Sequence, residues 1–152
     1  TVHAADTIAG GVADLVIAGQ TAVFRLPETG LGLVPAQIAP FLVERLGFSE
    51  AKRLAVTGGK ISADEALKLR VVHDVQATGK LDEALDAALD QIRKGAPDAI
   101  AATKTLIRRA RLEDPAALVD DAAAIFAKAA RGPEGAEGMT AFLEKRPAKW
   151  VG

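Results

Sequence analysis

A chain of 152 residues with 49% hydrophobic and 26% charged side chains is long enough for one domain around one core and lies outside the disordered class. Its net charge of −1 offers no electrostatic basis for binding nucleic acid or an anionic membrane, and the absence of cysteine excludes disulfides and thiolate chemistry. No apolar run approaches the ~20 residues of a membrane span, and the first residues lack the basic flank and apolar core of a signal peptide, so a soluble cytoplasmic protein is expected.

Residues 7–13 read as a short Gly-containing helix or turn, followed by an apolar strand, Leu15-Val16-Ile17-Ala18. Gly19-Gln20 turns the chain into a second strand, Ala22-Val23-Phe24. Glu28 follows at that strand's exit, within Phe24-Arg25-Leu26-Pro27-Glu28-Thr29-Gly30-Leu31-Gly32-Leu33-Val34-Pro35. A carboxylate held among Leu, Val, Phe, Pro and Gly is expected to bind its proton more tightly than usual, as a general acid or base does. Pro27-Glu28-Thr29-Gly30 is equally good turn chemistry with the Glu in solvent, and local sequence leaves both readings open.

From Pro35 onward helical signals dominate, in keeping with a whole-chain composition in which aromatics are only 4% and the apolar share is carried by Ala, Leu, Val and Ile. Ile38, Leu42 and Leu46 recur at helical spacing up to Gly47, and Ser49 opens a second helix with Leu54 and Ala55 inward. Thr57-Gly58-Gly59-Lys60 breaks it as a plain turn; the first Gly of a phosphate loop is absent and Ile61 stands where Ser or Thr is needed. Ser62-Ala63-Asp64-Glu65 is a capping box for a short helix ending at Leu69-Arg70, and Val71-Val72-His73-Asp74-Val75 reads as an alternating strand. Leu81, Ala84, Leu85, Ala88, Leu89 and Ile92 form an apolar stripe, and Gly95-Ala96-Pro97 turns into a helix carrying Ile100, Ile107 and Ala110. Asp114-Pro115 starts the next, with Leu118, Ala122, Ile125, Phe126 and Ala129 as its stripe, and a last helix spans Pro133 to Glu144.

His3 and His73 lie far apart with no ligand at metal spacing, so no metal site is expected. No Gly-x-Ser-x-Gly elbow accompanies them. Lys104, Arg108, Arg109 and Arg111 form a basic stretch that suits a solvated helix face, with phosphate contact as the alternative.

At Phe24 to Pro35 the chain resembles the crotonase superfamily, the enoyl-CoA hydratase/isomerase proteins, and the resemblance continues in register over residues 11–150. Asp14-Leu15-Val16-Ile17-Ala18 is similar to the family's Asp-apolar strand, and Phe24-x-Leu-Pro-Glu-x-x-Leu-Gly to the segment carrying its second catalytic carboxylate. Leu54-Ala55-Val56-Thr57-Gly58 with Ile61-Ser62-Ala63-Asp64-Glu65-Ala66 resembles the Leu-x-x-Thr-Gly-x-x-x-x-Ala-x-x-Ala block. Ala102-Thr103-Lys104 is similar to the opening of the long helix, and Glu137 to Arg146 to the C-terminal signature. Pro35-Ala36-Gln37-Ile38-Ala39-Pro40-Phe41 lacks the Gly-rich loop of classical hydratases and looks more like the methylglutaconyl- or isohexenylglutaconyl-CoA hydratases.

The resemblance implies an α/β fold, the C-terminal part of a crotonase-like ββα spiral. Residues 1–78 would form the end of the spiral core and residues 79–152 a helical trimerisation region within a single domain. It implies an acyl-CoA substrate, no cofactor beyond the coenzyme A of that substrate, and a homo-oligomer that is a trimer or a dimer of trimers. Glu28 would be the acid/base of an enoyl-CoA hydratase, with Phe142 and Lys145 approaching the coenzyme A of a neighbouring subunit. An isomerase or decarboxylase of the same superfamily, and a non-catalytic acyl-CoA-binding or oligomer-scaffold protein, are the alternatives. The family's domain is longer than this chain, which opens on Thr1 rather than Met, as a fragment would. Counting back from Asp14 without a gap, the first carboxylate position falls on Ile8 and the oxyanion glycine on Ala5, whose backbone N–H is the one candidate donor in an otherwise unassigned oxyanion site. Arg70 also replaces a helix-ending Gly, at a cost of about 1 kcal/mol if its φ is positive.

Overall fold

The computed structural model describes residues 13–151, so Ala5, Ile8, His3 and all but the end of the predicted element over residues 7–13 lie outside the described residues. The chain divides into two compact units, one up to Asp86 and one from Ala87 onward.

The first unit carries strands β1 (Ile17–Gly19), β2 (Val23–Arg25), β3 (Lys60–Ser62) and β4 (Asp74–Gln76), with helices α1 (Ala39–Thr57) and α2 (Ala63–Lys68). β1 runs parallel to β4, with Ala18 opposite Val75; β2 runs antiparallel to β3, with Phe24 opposite Ile61. Ladders this short do not persist alone, and packing on the helices holds them. Leu26, Leu42, Leu54, Ile61, Val71 and Val72 are all buried and share one apolar cluster with Ala18, Ala51 and Ala66.

Gly47 ends one helical segment as expected, at φ 73° and ψ 164°, and a second segment follows directly to Thr57. Ser62 caps α2 by accepting the Glu65 N–H at 3.2 Å. The reciprocal half of the capping box is replaced: the Glu65 carboxylate accepts from Arg53 of α1 at 3.4 Å, while Ser62 itself pairs with Val23 across the β2–β3 ladder.

The strand expected over Val71 to Val75 is shorter and shifted, because its first residues finish a helix instead. Arg70, at φ 60°, donates its N–H to the Leu67 carbonyl at 3.0 Å, and Val71 donates to the Ala66 carbonyl at 2.8 Å. That is a Schellman-type end with a non-glycine residue in the left-handed position. It turns both Val71 and Val72 into the core rather than alternating them, and only from Asp74 does the chain pair with β1.

Helix α3 (Leu81–Arg93) crosses the boundary between the units, and α4 (Pro97–Leu112), α5 (Pro115–Arg131) and α6 (Pro133–Leu143) follow. The Asp114 carboxylate accepts the Ala116 N–H at 2.8 Å, confirming the N-cap before Pro115. Arg109 is no free cation on a solvated face: it bonds Glu113 and reaches Asp121 on α5 at 2.7 Å, holding the Glu113 carboxyl below the usual carboxylate range. At the start of α6, Glu134 accepts the Asp98 and Ala99 N–H groups, both at 3.0 Å, and so caps α4 with a carboxylate where the helix dipole favours one. Leu118 and Ala141 are buried, whereas Phe126, which the sequence stripe placed inward, is 75% exposed.

Arg70 supplies the first prediction. Replacing it by Gly removes the Cβ clash of the left-handed conformation, so Arg70→Gly should raise the unfolding free energy by about 1 kcal/mol, measured by denaturant titration.

Candidate active site

The turn that follows β2 is set by backbone geometry. Leu26 donates its N–H to the Gly59 carbonyl at 3.3 Å, extending the contact of β2 and β3 by one residue, and its side chain is buried. Pro27 then leads into a single 3₁₀ turn, Glu28–Leu31, closed by Gly32 at φ 74°. The Glu28 carbonyl accepts the Leu33 N–H at 2.9 Å, and the Thr29 carbonyl accepts the Gly32 N–H at 3.2 Å. The Thr29 hydroxyl leaves the turn and donates to the Ala55 carbonyl in the last turns of α1, at 3.0 Å.

Within this frame Glu28 is half-buried, and its Oε2 is shielded from solvent with no hydrogen-bond partner among the described residues. A buried carboxylate oxygen without a partner is an unfavourable arrangement, and a native fold retains one only where something else meets it. Leu31, Leu33 and Val34, all well exposed, continue the chain from this turn and make its outer side apolar. The turn-in-solvent alternative for Glu28 is thereby set aside.

In the second unit, Phe142 lies in the last turn of α6 and is 78% exposed. Lys145 sits three residues on at φ 53°, the second non-glycine residue in the left-handed region; its N–H donates to the Phe142 carbonyl at 3.2 Å and Arg146 donates to Ala141 at 3.0 Å. The geometry repeats the end of α2. It places Phe142 and Lys145 on one turn.

The residue that orders this turn is Glu137. Its carboxylate, 14% exposed, accepts from Arg146 Nη1 at 2.6 Å and from the Lys149 backbone N–H at 3.1 Å, folding the tail back along α6. The Arg146 guanidinium holds its carboxyl well below the usual carboxylate range, at about 2. Trp150 completes the fold-back: its indole N–H donates to the Lys94 carbonyl at 3.0 Å, and its ring lies where a Cβ on Gly138 would stand 3.2 Å away. The Glu-Gly pair of the C-terminal signature thus has a structural purpose that spacing alone did not disclose. Thr29 was likewise missed, because its partner lies 26 positions away.

His73 belongs to the frame. Its backbone N–H donates to Val16 at 2.8 Å and its Nδ1 accepts from Val16 at 2.9 Å, tying the start of β1 to the approach to β4. Among the described residues no helix is long and apolar enough to cross a membrane.

The turn, the ladders beneath it and the helical C-terminal unit together define a crotonase-type ββα fold. A match to the enoyl-CoA hydratase/isomerase family covers residues 6–152, and the chain belongs to that family. It is 34% identical over 140 residues to an Arabidopsis thaliana protein named "Probable enoyl-CoA hydratase 2, mitochondrial", covering 91% of this chain and 46% of that protein. It is 33% identical to the carnitinyl-CoA dehydratase of Proteus mirabilis, covering 92% of this chain and 56% of that one. A solved enoyl-CoA hydratase/isomerase from Marinobacter aquaeolei superimposes with a TM-score of 0.91 at 53% identity, over 94% of this chain and 55% of its own. The chain therefore spans about half the length of these relatives.

Glu137 generates a pH prediction. A carboxyl held at about 2 in the folded state stabilises the fold fully above the ordinary value of 4.5 and loses that contribution as pH falls towards 2. The stability difference between the parent and Glu137→Gln should be largest above pH 5 and close by about pH 2, as read by urea unfolding across that range.

Proposed function

We propose that the protein is an enoyl-CoA hydratase that adds water across the 2,3 double bond of an acyl-CoA thioester, and that this chain supplies its acid/base carboxylate, Glu28. The observation that carries this reading is the shielded Oε2 of Glu28, without a hydrogen-bond partner among the described residues, at the rim of an apolar turn. A water molecule held against this oxygen within the site would supply the donor that the described residues do not. In the proposed reaction Glu28 accepts a proton from that water as its oxygen attacks the β-carbon. The thioester oxygen takes up the negative charge against backbone N–H donors, and Glu28 then returns its proton to the α-carbon as the enolate collapses. Family membership and the names of the hydratase relatives support the reaction class. The loop from Pro35 to Phe41 supports a branched, glutaconyl-type acyl group within that class.

Phe142 and Lys145 are proposed to meet the coenzyme A moiety bound by a neighbouring subunit of a trimer. Their shared turn, the exposure of Phe142, and the uncovered Val119, Phe126 and Met139 support an assembly in which the second unit faces other copies. A lysine ammonium is suited to phosphate as a mobile point charge.

Glu28→Gln keeps the side-chain shape and removes the base. Turnover of crotonyl-CoA, followed by loss of enoyl-thioester absorbance, should fall about 100-fold or more while the unfolding midpoint stays at the parent value. Near-parent turnover in this variant would overturn the assignment. Lys145→Ala should raise KM for crotonyl-CoA by up to about fivefold with kcat unchanged, and the effect should shrink with added salt.

A further inference from the structure

The residue that follows Glu28, Thr29, hydrogen-bonds out of the turn to another element. A helix leaves its last carbonyls without intrahelical partners. In α1 the Leu54 carbonyl is met by the N–H groups of Gly58 and Gly59, the latter at 2.9 Å. The Ala55 carbonyl receives a side chain from a different element, the Thr29 hydroxyl, at 3.0 Å. Gly58, at φ 63°, makes the approach possible: a Cβ there would already be in contact with the Leu26 carbonyl at 3.6 Å and the Thr29 Oγ1 at 3.8 Å. One residue on, Gly59 accepts the Leu26 N–H. The 3₁₀ turn is thus held on both sides of Glu28, by the backbone of Leu26 before it and by the side chain of Thr29 after it.

We infer that Thr29 is a positioning residue: its hydroxyl bond to the Ala55 carbonyl latches the Glu28 turn onto the end of α1 and fixes the reach of the carboxylate. Leu26 is anchored by burial and by its N–H, but Glu28 Oε2 has no partner of its own among the described residues. Its position is inherited from the turn. Thr29 is exposed, so its contribution is local rather than part of the core. The catalytic consequence rests on the hydratase reading of Glu28; the latch itself does not.

Thr29→Val keeps the shape and removes the donor, and Thr29→Ser restores the donor without the methyl group. The expected result has two parts, both measured on the full 152-residue chain. By amide hydrogen exchange, Gly32 and Leu33, whose N–H groups close the turn, should exchange about tenfold faster in Thr29→Val. Val71, bonded to Ala66 at the end of α2, should stay at its parent rate, and Thr29→Ser should return Gly32 and Leu33 to theirs. With crotonyl-CoA as probe, kcat should fall about tenfold in Thr29→Val with KM within about twofold, and Ser should recover most of it.

Unchanged exchange at Gly32 and Leu33 overturns the latch. Faster exchange at Val71 to the same extent also overturns it, since Thr29 would then be an ordinary stabilising residue. Unchanged kcat in an active Thr29→Val chain overturns the positioning role. A parent chain inactive on crotonyl-CoA counts against the hydratase reading, and the exchange comparison alone then decides the latch.

Discussion

Everything around Glu28 depends on how α1 ends. The segment of α1 that follows Gly47 finishes at Gly58 in the left-handed conformation, and two features of that ending reach across to the turn after β2. Gly59 offers its carbonyl to Leu26, and the unfilled carbonyl of Ala55 takes the Thr29 hydroxyl. Orphaned carbonyls at a helix terminus are an obligatory cost of the helix itself. Here they are spent on fixing a neighbouring loop, so the requirement that α1 be satisfied and the requirement that Glu28 be held are met by the same bonds. The apolar cluster beneath, from Leu26 through Leu54 to Ile61, keeps β2, β3 and α1 from separating.

A comparable economy recurs at two further helix ends, one in each unit. α2 and α6 both end with a basic residue, Arg70 and Lys145, in a conformation that ordinarily calls for glycine. At the end of α6 the conformation is held by the Glu137 carboxylate, which binds Arg146 and the Lys149 N–H, and by Trp150 lying over Gly138. The strain at Lys145 is thereby overdetermined by its surroundings, and the turn presents Phe142 and Lys145 together. At Arg70 the reward is different: the reversal of the chain delivers Val71 and Val72 into the core as a pair.

Much of this architecture could be read from local chemistry. Ser62 and Asp114 cap where the residue types demand it, Gly47 interrupts α1, and Pro97, Pro115 and Pro133 each stand in the first turn of their helices. What escaped were features decided by partners distant in sequence. Lys60 to Ser62 is a strand only because β2 lies beside it, and Val71-Val72 mimics a strand because β-branched residues that finish a Schellman turn look the same in one dimension. Glu65 was assigned to the wrong half of a capping box since nothing local announces Arg53. Phe126 was placed inward because its hydrophobicity fits the stripe, yet α5 leaves it exposed. At the site, the apolar setting of Glu28 was legible, while the Thr29 contact to Ala55 and the role of Glu137 required the fold.

The central claim is that a water molecule activated by Glu28 ends up bonded to the substrate's β-carbon. The most direct test is mass spectrometry of crotonyl-CoA incubated with the chain in heavy-oxygen water. The account predicts a 3-hydroxyacyl-CoA product carrying the heavy oxygen on its β-carbon, formed by the parent and absent with Glu28→Gln. Recovery of a rearranged enoyl-CoA without the label, or of labelled product from both chains alike, would contradict it.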